Sequence, residues 1–112
     1  MANPALTEAV YYILLSLLEP MHGYGIMQNV EKLSRGRVKL AAGTLYGAIS
    51  SMLEKGWIYA LPETGDSLFR DNRGKKEYKI TPEGREMLKC EILRLTELLE
   101  NGAKILEHEP ER

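Results

Sequence analysis

The sequence predicts a mainly helical chain with one small β-hairpin, closed by a long C-terminal helix. Three observations predict it. Apolar residues recur at helical spacing in three segments before residue 56. Two short apolar runs flank a polar stretch rich in turn residues, and a heptad-like stripe runs through the C-terminal quarter. At 112 residues, with 44% hydrophobic and 28% charged side chains, the chain has the size and balance of one folded domain.

The first helix is marked by Leu6, Ala9, Val10, Ile13, Leu14, Leu17 and Leu18, with Thr7 as its cap. Tyr11, Tyr12 and Leu15 lie off that stripe, so the helix is apolar nearly all round and is expected to be covered on two sides, the second by a partner chain. Pro20 stops it. After Met21-His22-Gly23 a second helix carries Tyr24, Met27, Val30 and Leu33 inward as far as Ser34-Arg35-Gly36. The glycines beside Tyr24 are expected to make a tight turn at the helix start rather than a ligand loop. Val38 and Leu40 sit in an extended connector.

A third helix is expected from Ala42 to Lys55, with Gly56 ending it. Leu45, Ala48, Ile49, Met52 and Leu53 form its apolar face. Gly43, Gly47, Ser50, Ser51 and Glu54 face away, with Thr44 and Tyr46 on the flanks. Glycine and serine cost helix stability where lysine and glutamate would be free of penalty, so the outer face reads as a close-contact surface.

Trp57 to Leu61 reads as a strand and Glu77 to Ile80 as its antiparallel return, with Pro62 to Lys76 as a long polar tip. Thr81-Pro82-Glu83 supplies an N-cap, a proline at the first helical position and an early acid, opening a last helix that reaches Glu107. Within it Leu88, Ile92, Leu95, Leu99, Gly102 and Leu106 form a stripe that needs another helix against it.

Several functions are excluded. The longest apolar stretch, Ala9 to Leu18, is well short of the roughly 20 residues of a membrane span, and no export signal marks the amino terminus, so the cytoplasm is the expected location. One cysteine, Cys90, expected half-buried on a helix, and two histidines make no metal cluster. No nucleophile, base or phosphate loop is arranged for catalysis, so neither an enzyme nor a cofactor is expected.

The net charge of −1 hides a segregated distribution. Residues 32–56 carry +4 and residues 70–79 carry +3, while the remaining segments are acidic. The cations are Lys32, Arg35, Arg37, Lys39 and Lys55, then Arg70, Arg73, Lys75, Lys76 and Lys79. Three helices, a hairpin and a long closing helix is the order of a winged helix-turn-helix. In that architecture the third helix enters the major groove and the hairpin lies on the backbone or minor groove, so both basic segments face DNA.

From about Leu6 to Glu107 the chain resembles the PadR family of bacterial transcriptional regulators. The matching pieces are Leu14-Leu15-Ser16-Leu17-Leu18, His22-Gly23-Tyr24-Gly25-Ile26, Gly43-Thr44-Leu45-Tyr46, Leu53-Glu54-Lys55-Gly56-Trp57-Ile58 and Tyr78-Lys79-Ile80-Thr81-Pro82-Glu83-Gly84. The single terminal helix is similar to the shorter subgroup of that family. Gly47 stands where the family often has proline. The resemblance implies an operator-binding repressor that dimerises through its terminal and first helices. It also implies release from DNA by a signal, in some members a planar aromatic compound between the subunits.

On this basis residues 1–80, N-terminal helix included, are the DNA-binding winged helix-turn-helix and residues 81–108 the dimerisation helix, as one structural unit. The expected DNA contacts are Lys39, Gly43, Thr44, Tyr46, Ser50 and Ser51, then Arg73, Lys75 and Lys76 on the wing, with Arg37 as a further phosphate clamp. Thr44 has an alternative as the cap of the third helix, Tyr46 as a side chain packed sideways into the wing, and the wing cations as a solvated loop. Leu88, Ile92, Leu95, Leu99 and Leu106, with Tyr12, are the expected dimer contacts. Ile92, Leu95 and Leu99 with Tyr11 or Tyr12 either line an effector pocket or simply close the dimer. A winged-helix module for protein–protein contact is the competing function.

Overall fold

The computed structural model describes residues 5–62 and 76–110. In chain order the elements are α1 (Glu8–Ser16), β1 (Met21–His22), α2 (Gly23–Leu33), α3 (Ala42–Glu54), β2 (Ile58–Ala60), β3 (Glu77–Ile80) and α4 (Pro82–Glu107). The chain is mainly helical, with an antiparallel sheet ordered β1-β3-β2. Ile58 pairs with Ile80 and Ala60 with Tyr78 across β2 and β3, while Met21 pairs with Tyr78 and His22 with Glu77 across β1 and β3. The sequence predicts two strands; β1 is the addition. Two residues between Pro20 and a helix start are too few to show alternation, so nothing in the pattern reveals them.

Thr7 starts α1, its hydroxyl accepting from Val10 N at 3.1 Å. Ile13, Leu14 and Leu17 are fully buried. At the far end the Leu17 carbonyl accepts from Ile80 N at 2.8 Å, joining α1 to the sheet. Ser16 is buried without cost: its hydroxyl donates to Tyr12 O and accepts from Asn29 Nδ2, both at 2.8 Å. That bond fixes the rotation of α2. Its buried residues are Gly23, Ile26 and Val30, and the Tyr24 and Leu33 expected inside are exposed instead. Asn29 must face α1 and Gly23 must face α3, which leaves Tyr24 on the outer flank.

Helix α2 ends in a turn in which Gly36 N donates to Glu31 O at 2.8 Å, with Arg35 and Gly36 in the left-handed region at φ 55° and 81°. Helix α3 buries Leu45, Ile49 and Met52, while Leu53, expected inside, is exposed. Gly56, at φ 76°, turns the chain out of α3 into β2.

Thr81 caps α4 by accepting from Gly84 N at 3.0 Å and donating to Gly56 O at 2.6 Å. Gly84 is pressed against the sheet. A Cβ there would overlap the Trp57 carbonyl oxygen and stand 2.7 Å from Ile80 Cγ1. The chief obstacle is backbone, so Gly84→Ala is expected to destabilise the fold by about 2–3 kcal/mol, checked by urea denaturation. Stability equal to wild type would mean α4 docks elsewhere.

Leu88 is 4% exposed and belongs to the core of the single chain, a correction to its expected place in the dimer stripe. It lies in the first turns of α4, where the helix still packs on α1 and β3. Cys90 is exposed rather than half-buried. From Leu95 to Glu107 every residue of α4 is exposed, and the helix stretches the molecule to 70 × 31 × 20 Å. No helix among the described residues is long and apolar enough to cross a membrane.

Candidate nucleic-acid interface

With Leu45, Ile49 and Met52 buried, the opposite side of α3 presents Gly43, Gly47, Ser50 and Ser51 to solvent. A Cβ at Gly43 or Gly47 would meet nothing within 4 Å. No packing among the described residues requires these glycines, although Gly47, inside the helix, costs about 1 kcal/mol relative to alanine. The face is smooth, uncharged but for Glu54, and able to accept a close neighbour.

Thr44 is exposed inside the first turn, and Ala41 occupies the cap position without a side-chain bond, so Thr44 does not cap α3. Tyr46 is 37% exposed and its phenol leans on the first residue of α2: a Cβ at Gly23 would lie 2.8 Å from Tyr46 Cζ and closer still to the hydroxyl. Burial, and secondarily Tyr46, hold the Tyr78 phenol above its ordinary range. Tyr46 therefore braces α3 against α2 with one edge still open. Neither of the two sequence alternatives describes that arrangement in full.

Lys39 is exposed in the connector before α3, and Lys76 is exposed at the foot of β3. Arg37 is already engaged: its Nε donates to Glu8 Oε2 at 2.8 Å and its Nη2 also pairs with that carboxylate. Lys55 lies 4.8 Å above the Trp57 ring. Arg70, Arg73 and Lys75 lie outside the described residues.

Ile92, Leu95, Leu99 and Leu106 are all exposed on α4, as expected of the stripe. Leu98 and Ile105, 53% and 71% exposed, widen it; they fall one position outside the heptad spacing, which is why the pattern does not reveal them. Tyr12 is half-buried against Tyr11, edge to face at 5.7 Å. A cavity of about 470 Å³ opens beside these rings, lined by Leu6, Glu8, Arg37, Glu91, Arg94 and Leu95 as well as the two tyrosines.

Glu91 is the buried acid among the described residues. Arg94 donates to it through Nε at 2.8 Å and Nη2 at 2.7 Å, and Leu6 N at 3.2 Å. The Arg94 hydrogen bonds first, then the Leu6 N–H, hold its carboxyl below the ordinary 4.5. A carboxyl whose pKa is lowered on folding stabilises the fold above the unfolded value and loses that contribution as pH falls through the folded one. Wild type is therefore expected to lose stability below about pH 4.5 more steeply than Glu91→Gln, checked by thermal melts from pH 7 to 3. Parallel curves would show the carboxylate to be unpaired.

A helix pair whose second member shows a small hydroxyl-bearing face, beside a three-stranded antiparallel sheet, defines a winged helix-turn-helix of the DNA-binding class. The profile of the transcriptional regulator PadR-like family matches residues 13–90, and the chain belongs to that family. Its members are transcriptional regulators. A transcriptional regulator from Clostridium thermocellum is 25% identical over 85% of this chain and 87% of its own, with a TM-score of 0.61. PadR family regulators from Eggerthella lenta and Clostridium difficile, 24% and 23% identical, share the fold at TM-scores of 0.66 and 0.64. They cover 89% and 87% of this chain and 82% and 97% of their own. None of the curated protein sequences matches the chain.

Proposed function

We propose that the protein is a sequence-specific repressor that binds operator DNA in the cytoplasm as a homodimer and is released by a small-molecule effector. The open outer face of α3 carries this reading, because Gly43, Gly47, Ser50 and Ser51 are small, exposed residues of modest helix propensity that suit the close approach of an external neighbour. In the complex Gly43, Ser50 and Ser51 approach base edges, Thr44 and the open edge of Tyr46 reach the flanking phosphates, and Lys39 neutralises the backbone before the helix. Residues 1–80 do the reading and residues 81–108 join the two copies. The cavity between α1 and α4 is the place for the effector, with Tyr11, Tyr12 and Leu95 as its apolar wall.

Titrating labelled duplex DNA over a range of salt tests this. Operator binding is expected to weaken linearly in log K against log salt, as counterion release requires. Binding to no duplex at any salt would favour the competing reading, a module for protein–protein contact.

The wing has its own signature. Neutralising Arg73, Lys75 and Lys76 to glutamine is expected to weaken operator and random duplex alike, flattening the salt slope by about one for each phosphate no longer neutralised. An unchanged slope would take the wing off the backbone.

A further inference from the structure

Two residues at the start of α1, on either side of its cap, are tied to different elements around one cavity. Leu6 N donates to the buried Glu91 of α4, which Arg94 holds from its other side. Thr7 caps α1. Glu8 accepts from Arg37, in the connector that leads to α3 at Ala42. That connector is itself fixed, with Arg37 N donating to Ser34 O at 3.1 Å and Val38 N to Ser34 Oγ at 2.9 Å. Helix α4 packs on α1 and β3, and α1 packs on α2, which packs on α3. Both ion pairs line the one cavity beside Tyr11 and Tyr12.

We propose that residues 6–8 form a joint that sets the recognition helix relative to α4, and that Arg37 is a positioning residue of that joint rather than a phosphate ligand. The proposal rests on the DNA-binding reading above. Two observations separate Arg37 from the free cations. Its Nε and Nη2 face Glu8, so the pair has no net charge and attracts a phosphate less than a free cation does. Glu8 is in turn held in place, because an acid in the first turn of a helix is favoured by the N-terminal dipole. With side chains 68% and 43% exposed, the pair adds little to global stability, which makes its effect on DNA binding separable from folding. In a dimer the two α4 helices determine how far apart the recognition helices lie. A joint tied to α4 at one residue and to the α3 connector two residues later carries that spacing inward, and an occupant of the cavity would act on both ties.

The test uses Glu8→Gln, Arg37→Gln, the double variant and the exchanged pair Glu8→Arg with Arg37→Glu. Each is titrated at several salt concentrations against a duplex selected from a random pool by the wild-type protein. Each single variant is expected to bind roughly two- to five-fold more weakly, the double no more weakly than either single, and the exchanged pair to recover most of the affinity. Salt slopes stay at wild-type values, and thermal midpoints fall only slightly, most in the exchanged pair, where Glu8→Arg sets a cation at the N-terminus of α1. Tighter binding by Glu8→Gln, or a shallower salt slope in Arg37→Gln, would make Arg37 a phosphate ligand and overturn the proposal. Wild-type affinity in both single variants would overturn it as well. Failure of the wild-type protein to select any duplex would instead overturn the DNA-binding reading.

Discussion

Replacing Leu99 and Leu106 together with aspartate is expected to turn the proposed dimer into a monomer. Both side chains are about 70% and 68% exposed in the single chain, on a helix segment exposed at every residue from Leu95 to Glu107. With Leu95, Leu98 and Ile105 they form an apolar strip, and contiguous exposed apolar surface marks an interaction site. Burying a leucine stabilises by about 1.5–3 kcal/mol, and two per chain make four at a symmetric interface. Removing about 6–12 kcal/mol raises the dimer Kd by at least roughly four orders of magnitude. The folded body is little affected, because Leu88, the stripe residue that belongs to the core, is left in place. Sedimentation velocity and a thermal melt check both halves of the expectation. An undisturbed dimer would show that α4 is not the interface.

The second large effect falls on α3. Ser50→Glu puts a carboxylate on the exposed face opposite Ile49 and Leu45, where a phosphate backbone would stand on either side. Like charges brought together at a binding surface cost several kcal/mol. A penalty of about 3 kcal/mol weakens operator binding by roughly a hundred-fold. Glutamate is the better helix former, so thermal stability is expected to hold or to rise slightly. Loss of DNA affinity without loss of stability identifies the face as functional. An operator affinity equal to that of wild type would remove it from the interface.

Much of the fold is legible in the sequence because its signals are local and physical. Thr7 and Thr81 cap where the pattern places them, Gly56 ends α3 at a positive φ, and Ile58 pairs with Ile80 across the expected strands. What is not legible depends on neighbours distant in sequence. Strand β1 exists because Met21 and His22 find Tyr78 and Glu77, some 55 residues on, and a two-residue strand has no period to read. The helical period misplaces the inward face of α2 by one flank, because Asn29 bonds to Ser16 and Gly23 receives Tyr46, and the period encodes neither.

The candidate site divides the same way. The outer face of α3 follows from the 100° step alone, since Leu45, Ile49 and Met52 fix what lies opposite. Heptad spacing puts Leu88 in the stripe because it cannot tell a residue covered by its own chain from one covered by a partner. Arg37 falls among the phosphate clamps on charge alone because its acid, Glu8, lies far back in the sequence, on α1. Charge counting registers both residues but not their pairing.

In the proposed complex two copies of α3, held by α4, read two half-sites on one face of DNA. Hydroxyl-radical footprinting of the wild-type protein on its selected duplex tests it most directly. Two protected windows are predicted, centred about 34 Å or one helical turn apart on the same face, with protection extending to the flanks where the wings lie. A single protected window, or two on opposite faces of the duplex, would contradict it.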